Sequence, residues 1–362
     1  IKKEIVLKDS FSVKWNKQIP YKKDVSVQPL VLKKSFFLPT KDGIEKRNSE
    51  NGAAFWENTQ LGVLASDMAY MRQSVYLYTK ENQRANANML ASVSSHTGET
   101  RFKVPLQDGV FGSPVVFGNA IFSVSEGQLV SYSLLDGQRQ WRYETEGTIL
   151  FEPLLDKTQL FLVEQDKLSS FNWETGHVNW QYPIKTPYFR PIILEGAMLI
   201  SKKMTDSVIE VEAVDIKTHE SLWSNIVVLE EGEEVFKIVY SAHRVLVLSH
   251  RDNGILARIL DEKTGEMLWK KQFEELPKKG VALAYENVLL YGFISKPSNG
   301  LRLAYIDLDS GEMQSLEIEL DVDKISALGW IKPSNKAILC QLDKHRDYFV
   351  AALKLDHKIE NI

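Results

Sequence analysis

The chain has 362 residues, 44% hydrophobic and 25% charged, the balance of a globular protein able to bury a large core. Its 44 basic and 48 acidic residues leave a formal net charge of -4, so no bulk basicity points to nucleic acid or to an anionic membrane surface. A single cysteine excludes an intrachain disulfide, and no run approaches the roughly 20 apolar residues of a membrane-spanning helix.

The chain opens at Ile1 without an initiator Met, which reads as a mature form whose leader has been removed. Residues 1–10 are taken as an N-terminal extension. Residues 11–19, FSVKWNKQI, read as a strand carrying Trp15. From there one phrase returns along the chain: ENGAAFW at 50–56, ETGHVNW at 174–180, KTHESLW at 217–223 and KTGEMLW at 263–269. Aligned on the residue four after the turn Gly, the series is Trp15, Trp56, Phe102, Trp141, Trp180, Trp223, Trp269 and Ser315. Successive members lie 39 to 46 residues apart. Such a period fits either four short strands per unit, as in propeller blades, or two to three helices, as in HEAT-type arrays.

Residues 114–133, PVVFGNAIFSVSEGQLVSYS, decide between them. Short β-branched and aromatic runs alternate with Gly-Asn and Glu-Gly turns, and no run of helical period intervenes. Each unit therefore reads as strand a, tight turn, strand b, polar turn, strand c, Gly turn and strand d with its Trp. The Gly supplies the positive φ that a tight turn demands. The aromatic, burying about 150–250 Å², fills the wedge between neighbouring sheets. These aromatic positions are structural.

The final block, from Gly329 onward, supplies strands a, b and c and ends before a Trp-bearing strand d. Residues 11–19 complete it, which removes an exposed sheet edge. The expected fold is an all-β, eight-bladed β-propeller formed by residues 1–362 as a single domain, with the N-terminal strand closing the last blade. Seven blades is the alternative if the unit ending at Ser315 is parsed differently. Cys340 lies in the apolar run AILCQL and reads as a buried structural thiol.

SSFNWETGHVNW and ARILDEKTGEMLW resemble the repeat of PQQ-like β-propellers, related in architecture to WD40 repeats, whose usual form is Ala-x-Asp-x-x-Thr-Gly-x-x-x-Trp. Asp261, Thr264, Gly265 and Trp269 match it; Asp215, Thr218 and Trp223 match with His219 in place of the Gly; Asn172, Thr175, Gly176 and Trp180 match with Asn for Asp. The resemblance covers essentially the whole chain. Size and N-terminal closure are most similar to the BamB-type propeller lipoproteins of the outer-membrane barrel-assembly machinery. That resemblance implies a non-catalytic periplasmic scaffold bound to the periplasmic domains of a barrel-assembly subunit. It also implies membrane attachment only through a lipid on a Cys preceding residue 1.

The rival reading is a quinoprotein dehydrogenase, since those enzymes share the repeat. They stack the quinone against a disulfide of adjacent cysteines and hold Ca²⁺ beside it, and a lone Cys340 cannot supply that disulfide. No cofactor, metal site or catalytic residue is expected: the seven histidines show no metal-ligand spacing, and the common phosphate-binding and nucleophile-elbow motifs are absent. A ligand-sensing propeller with its site in the central channel is a third reading.

For a scaffold, the loops carry function. The link after Trp180, YPIKTPYFRP, offers Tyr188, Phe189 and Arg190. The link after Trp223, IVVLEEGEEVF, offers Glu230, Glu231, Glu233 and Glu234. Adjacent blades would set an aromatic-plus-Arg patch beside an acidic one, a composition suited to a protein partner. Tyr188, Phe189, Arg190, Glu233 and Glu234 are the expected contact residues.

Overall fold

A computed structural model of the chain describes residues 11–19, 27–80, 89–106, 109–295, 300–318, 325, 327–334, 337–344 and 347–355. Every regular element among them is a strand. The strands form eight antiparallel sheets, each the blade of a propeller. Blade 1 comprises Leu30–Val31, Ser35–Pro39, Ile44–Asn48 and Ala54–Asn58. In blade 2, strand a is split into Val63–Leu64 and Ala69–Met71, both pairing with Ser74–Lys80, before Met89–Ser94 and Thr100–Pro105. Blades 3 to 7 follow in chain order, and blade 7 contains Ser315 on Met313–Ile318, so the eight-unit parse holds.

Blade 8 takes Ala327–Ser334, Ala337–Lys344 and Asp347–Leu355 from the end of the chain and Phe11–Ile19 from its start. Phe11 pairs with Leu355 and Ile19 with Tyr348, and a bulge separates Val13 from Trp15. Trp15 lies opposite Ala352; its side chain, like residues 1–10, lies outside the described residues. Cys340 is fully buried in strand b of this blade, its thiol pushed up to about 12 by burial.

The core is a ring rather than a centre. Among the described residues it falls into eight apolar clusters, each packed between two neighbouring blades. Phe36 and Leu38 of blade 1 thus meet Trp330, Leu339 and Val350 of blade 8, which seals the ring. Inner strands are buried on both sides, as in Leu160–Val163, whereas outer strands such as Val178–Pro183 alternate exposed and half-buried residues.

The recurring Gly and aromatic are partners across blades, not within one. The Trp141 ring of blade 3 lies on Gly176 of blade 4, where a methyl would come 2.6 Å from the indole. Trp56 on Gly98, Phe102 on Gly137 and Trp269 on Gly311 repeat the arrangement. Trp56, Trp141 and Trp269 each donate Nε1–H to a carbonyl of the turn they cover, at 3.2, 3.1 and 2.8 Å. Where blade 5 has His219, at φ 63°, its imidazole lies 4.2 Å from the Trp180 ring. That indole donates instead to Gln159 Oε1 in its own blade.

Candidate functional site

In blade 5, strands Ala197–Thr205 and Val208–Asp215 form a hairpin that reaches both expected links. On one side, Tyr188 N–H donates to Ser201 O at 2.7 Å and Phe189 N–H to Ser201 Oγ at 3.1 Å. On the other, Leu229 N–H donates to Ser207 O at 2.8 Å. One hairpin therefore joins the two links on the face of the ring that carries the b–c turns. Lys203 stands 5.9 Å over the Tyr188 ring and exposed Met204 follows it in the strand, whereas exposed Ile226 and Val228 flank the buried Val227 and face the other side of the blade.

Tyr188 and Phe189 contact each other edge to face at 4.5 Å and are half-buried against the cluster between blades 5 and 6. They anchor the link as well as presenting surface. Arg190 is exposed but reaches back to blade 4, donating to Pro153 O at 3.2 Å and standing 3.9 Å from the Glu152 carboxylate.

The acidic link differs from the sequence expectation. Glu233 is not a surface residue: its side chain is fully buried in a two-point ion pair with Arg258, with Nη2 to Oε2 at 2.8 Å. Burial works to raise its carboxyl, but hydrogen bonds from Arg258, the Glu230 N–H and Ser249 hold it below the usual glutamate range. Glu230 is paired with Arg251 at 2.5 Å and with Lys270. Glu231 and Glu234 remain exposed, so the acidic patch is smaller than its composition suggests. The signal for Glu233 lay elsewhere: Arg258 sits inside GILARIL, a strand buried along most of its length, and a cation there requires a counter-charge.

The channel holds a feature that the sequence reading missed. Four residues before the last paired position of each strand a, blades 1 to 6 carry Gln28, Asp67, Ser113, Glu152, Arg190 and Lys237. The common register puts them at one height around the axis, and neighbours touch. Gln28 N–H donates to Asp67 Oδ1 at 2.5 Å, Asp67 N–H to Ser113 Oγ at 3.1 Å, and Arg190 to the carbonyls of blade 4. Lys237 Nζ donates to Ala282 O of blade 7 at 2.7 Å. The girdle is acidic on blades 2 and 4 and basic on blades 5 and 6. Burial raises Asp67, and burial together with nearby Lys332 lowers Lys237. Among the described residues, no group of three or more His, Cys, Asp or Glu side chains comes together as a metal site.

Residues 41–270, from blade 1 through most of blade 6, match the sequence profile of the family described as outer membrane protein assembly factor BamB. No curated protein sequence matches the chain. Among solved structures, the chain is similar to BamB from Moraxella catarrhalis, with 15% identity, a TM-score of 0.66 and coverage of 96% of this chain and 100% of that one. It is also similar to the quinohemoprotein alcohol dehydrogenase ADHIIG from Pseudomonas putida HK5, with 11% identity, a TM-score of 0.64 and coverage of 95% and 76%. The computationally designed Ika8 protein matches with 11% identity, a TM-score of 0.63 and coverage of 93% and 100%. At such identities the structures speak for the fold alone, whereas the profile spans more than half of the sequence. The chain belongs to the BamB family of outer membrane protein assembly factors.

Proposed function

We propose that the protein is a non-catalytic scaffold of outer-membrane protein assembly, working at the periplasmic side of a bacterial outer membrane. Its docking surface is the b–c face of blades 4 to 6. The carrying observation is the blade 5 hairpin, which draws the Tyr188 and Glu231 links into one patch within the matched residues. Aromatic, cationic and exposed apolar side chains follow one another there: Tyr188, Lys203 and Met204. That mixture suits a protein partner better than a small substrate. The partner class we propose is the periplasmic domains of a barrel-assembly subunit.

A photo-crosslinking residue at Met204 tests this, with another at Lys263 in the c–d turn on the opposite face. Crosslinks to a barrel-assembly subunit from Met204 alone support the reading; crosslinks from Lys263 alone sink it. The similar alcohol dehydrogenase fold motivates a second assay. Cys340 is the chain's only cysteine and cannot supply a disulfide of adjacent cysteines beside a quinone. Incubation with the quinone, Ca²⁺ and an alcohol is expected to give no dye reduction above background, and saturable turnover would overturn the scaffold reading.

A further inference from the structure

The central channel widens, on the side of blades 3 to 7, into a cavity of about 650 Å³. This lies within the roughly 300–1,000 Å³ range of small-molecule sites. Its wall is mostly apolar, with Val115, Leu154, Ile192, Ile238 and Leu283 contributed by five successive blades. Two cations, Arg190 and Lys237, interrupt that wall, and among the described residues no carboxylate lines it. They occupy equivalent positions on adjacent blades and so stand at one height. The remaining polar group, the Tyr240 hydroxyl, is engaged at 2.9 Å with Glu262.

The cations are poorly neutralised. Among the described residues Lys237 has no carboxylate within 4 Å, and its ammonium is held only by the Ala282 carbonyl. Burial and the nearby Lys332 both disfavour its charge. Arg190 has a single carboxylate, Glu152, at the long distance of 3.9 Å. An arriving anion would relieve this repulsion and meet charge-assisted donors in a partly dry site.

We propose that the channel binds a small organic anion with an apolar body, its acidic head between Arg190 and Lys237 and its body along the walls of blades 3 to 7. The site shares Arg190 with the proposed docking link, but Lys237 takes no part in the hairpin that joins the links, so Lys237→Gln tests the channel apart from the docking surface.

The test uses the full chain and the fluorescent sulfonate 8-anilinonaphthalene-1-sulfonate. Binding should be saturable at one site and displaced by octanoate, which has both head and body. Acetate, the head alone, and 1-octanol, the body alone, should not displace it at equal concentration. Lys237→Gln should weaken binding about ten- to a hundredfold, the loss expected for a hydrogen bond to a charged group. Lys263→Gln, on an outer turn, should leave it unchanged. If Lys237→Gln fails to fold, melting of the unaltered chain decides, because a ligand that binds only the folded state raises Tm. Octanoate should then raise Tm and octanol should not. Displacement by octanol as effective as by octanoate, an unaffected Lys237→Gln variant, equal Tm shifts or absence of saturable binding would each overturn the proposal.

Discussion

Trp223 of blade 5 and Gly265 of blade 6 are built as a pair: a methyl on Gly265 would sit 2.3 Å from the indole, and Trp223 Nε1–H donates to Glu262 O at 2.7 Å in the same turn. Asn225, two residues beyond the Trp, donates to the Gly265 carbonyl at 2.8 Å. Trp56 with Asn58 and Trp269 with Lys271 repeat this, so that these pairs join two blades through one face of a ring and two hydrogen bonds.

Gly265→Ala should therefore cost more than backbone strain. Gly265 has φ +69°, and Gly196 has φ +79° with nothing within 4 Å of the position a methyl would take. Gly196→Ala should cost about 1–2 kcal/mol for the left-handed conformation alone. Gly265→Ala should cost about 2–5 kcal/mol, since overpacking adds about 1–3 kcal/mol to the same strain. Urea unfolding of both variants measures the difference; equal losses would show that the indole yields freely.

The buried Arg258–Glu233 pair predicts a second asymmetry. Glu233→Gln leaves Arg258 without its counter-charge and should destabilise the fold by about 3–5 kcal/mol. Glu234→Gln, two atoms of backbone away but exposed, should change stability by less than about 0.5 kcal/mol. Denaturant midpoints of the two variants check this.

The same pair sets a dependence on pH. The Glu233 carboxyl titrates lower in the folded chain than its ordinary value of 4.5, so the unfolded chain takes up the proton first. The stabilisation is complete above that ordinary value and is lost as pH falls through the lower, folded value. Folding stability of the unaltered chain should drop across this acid window, and Glu233→Gln should flatten that part of the profile. Chemical denaturation at stepped pH values between neutral and acid measures both slopes.

On the docking surface, Arg190→Glu should weaken partner binding while leaving the melting temperature close to that of the unaltered chain, because the Arg190 side chain is exposed and its one ion pair is long. Reversing Glu231 and Glu234 to Lys should act chiefly on the association rate and its salt dependence. Surface plasmon resonance against the periplasmic domains of a barrel-assembly subunit separates the two effects. A dissociation rate unchanged by Arg190→Glu would count against its place in the contact.

Deleting residues 1–19 removes Phe11–Ile19 from blade 8 and bares the edge of Asp347–Leu355. A loss of several kcal/mol is expected, lowering Tm by about 5–10 °C in a chain of this size, with increased aggregation. Calorimetry and light scattering of the truncated chain would show it; unchanged midpoints would mean that the ring holds without its closing strand.

The blades could be read from the sequence because their signals are local. A Gly, a following aromatic and β-branched runs of fixed spacing mark most units; His219 replaces the Gly in one, and the unit ending at Ser315 keeps Gly311 without the aromatic. The partnership of Trp141 with Gly176, rather than with Gly137 of its own unit, depends on how sheets stack, and spacing alone cannot show it. Nor could spacing show that Glu233 turns inward while Glu234 turns out, because that choice depends on Arg258, 25 residues away. The channel girdle was hidden for a further reason. Strands Leu154–Leu155 and Ile192–Ile193 are two residues long, too short for any pattern to reveal the common register of Glu152 and Arg190.

The pairing of Phe11 with Leu355 also orders events in time. During synthesis the first strand of the chain emerges long before the strand it must join, and nearly the whole polypeptide has to be made before its edge can be matched. Blades 1 to 7 can stack one upon the next as they appear, blades 1 to 6 each resting an aromatic on the turn that follows. Blade 8 cannot assemble from neighbours in this way, because its outermost strand is among the oldest parts of the molecule. Closing the ring therefore requires the return of residues 11–19 to the far end, a search whose entropic cost grows only weakly with the length of chain between.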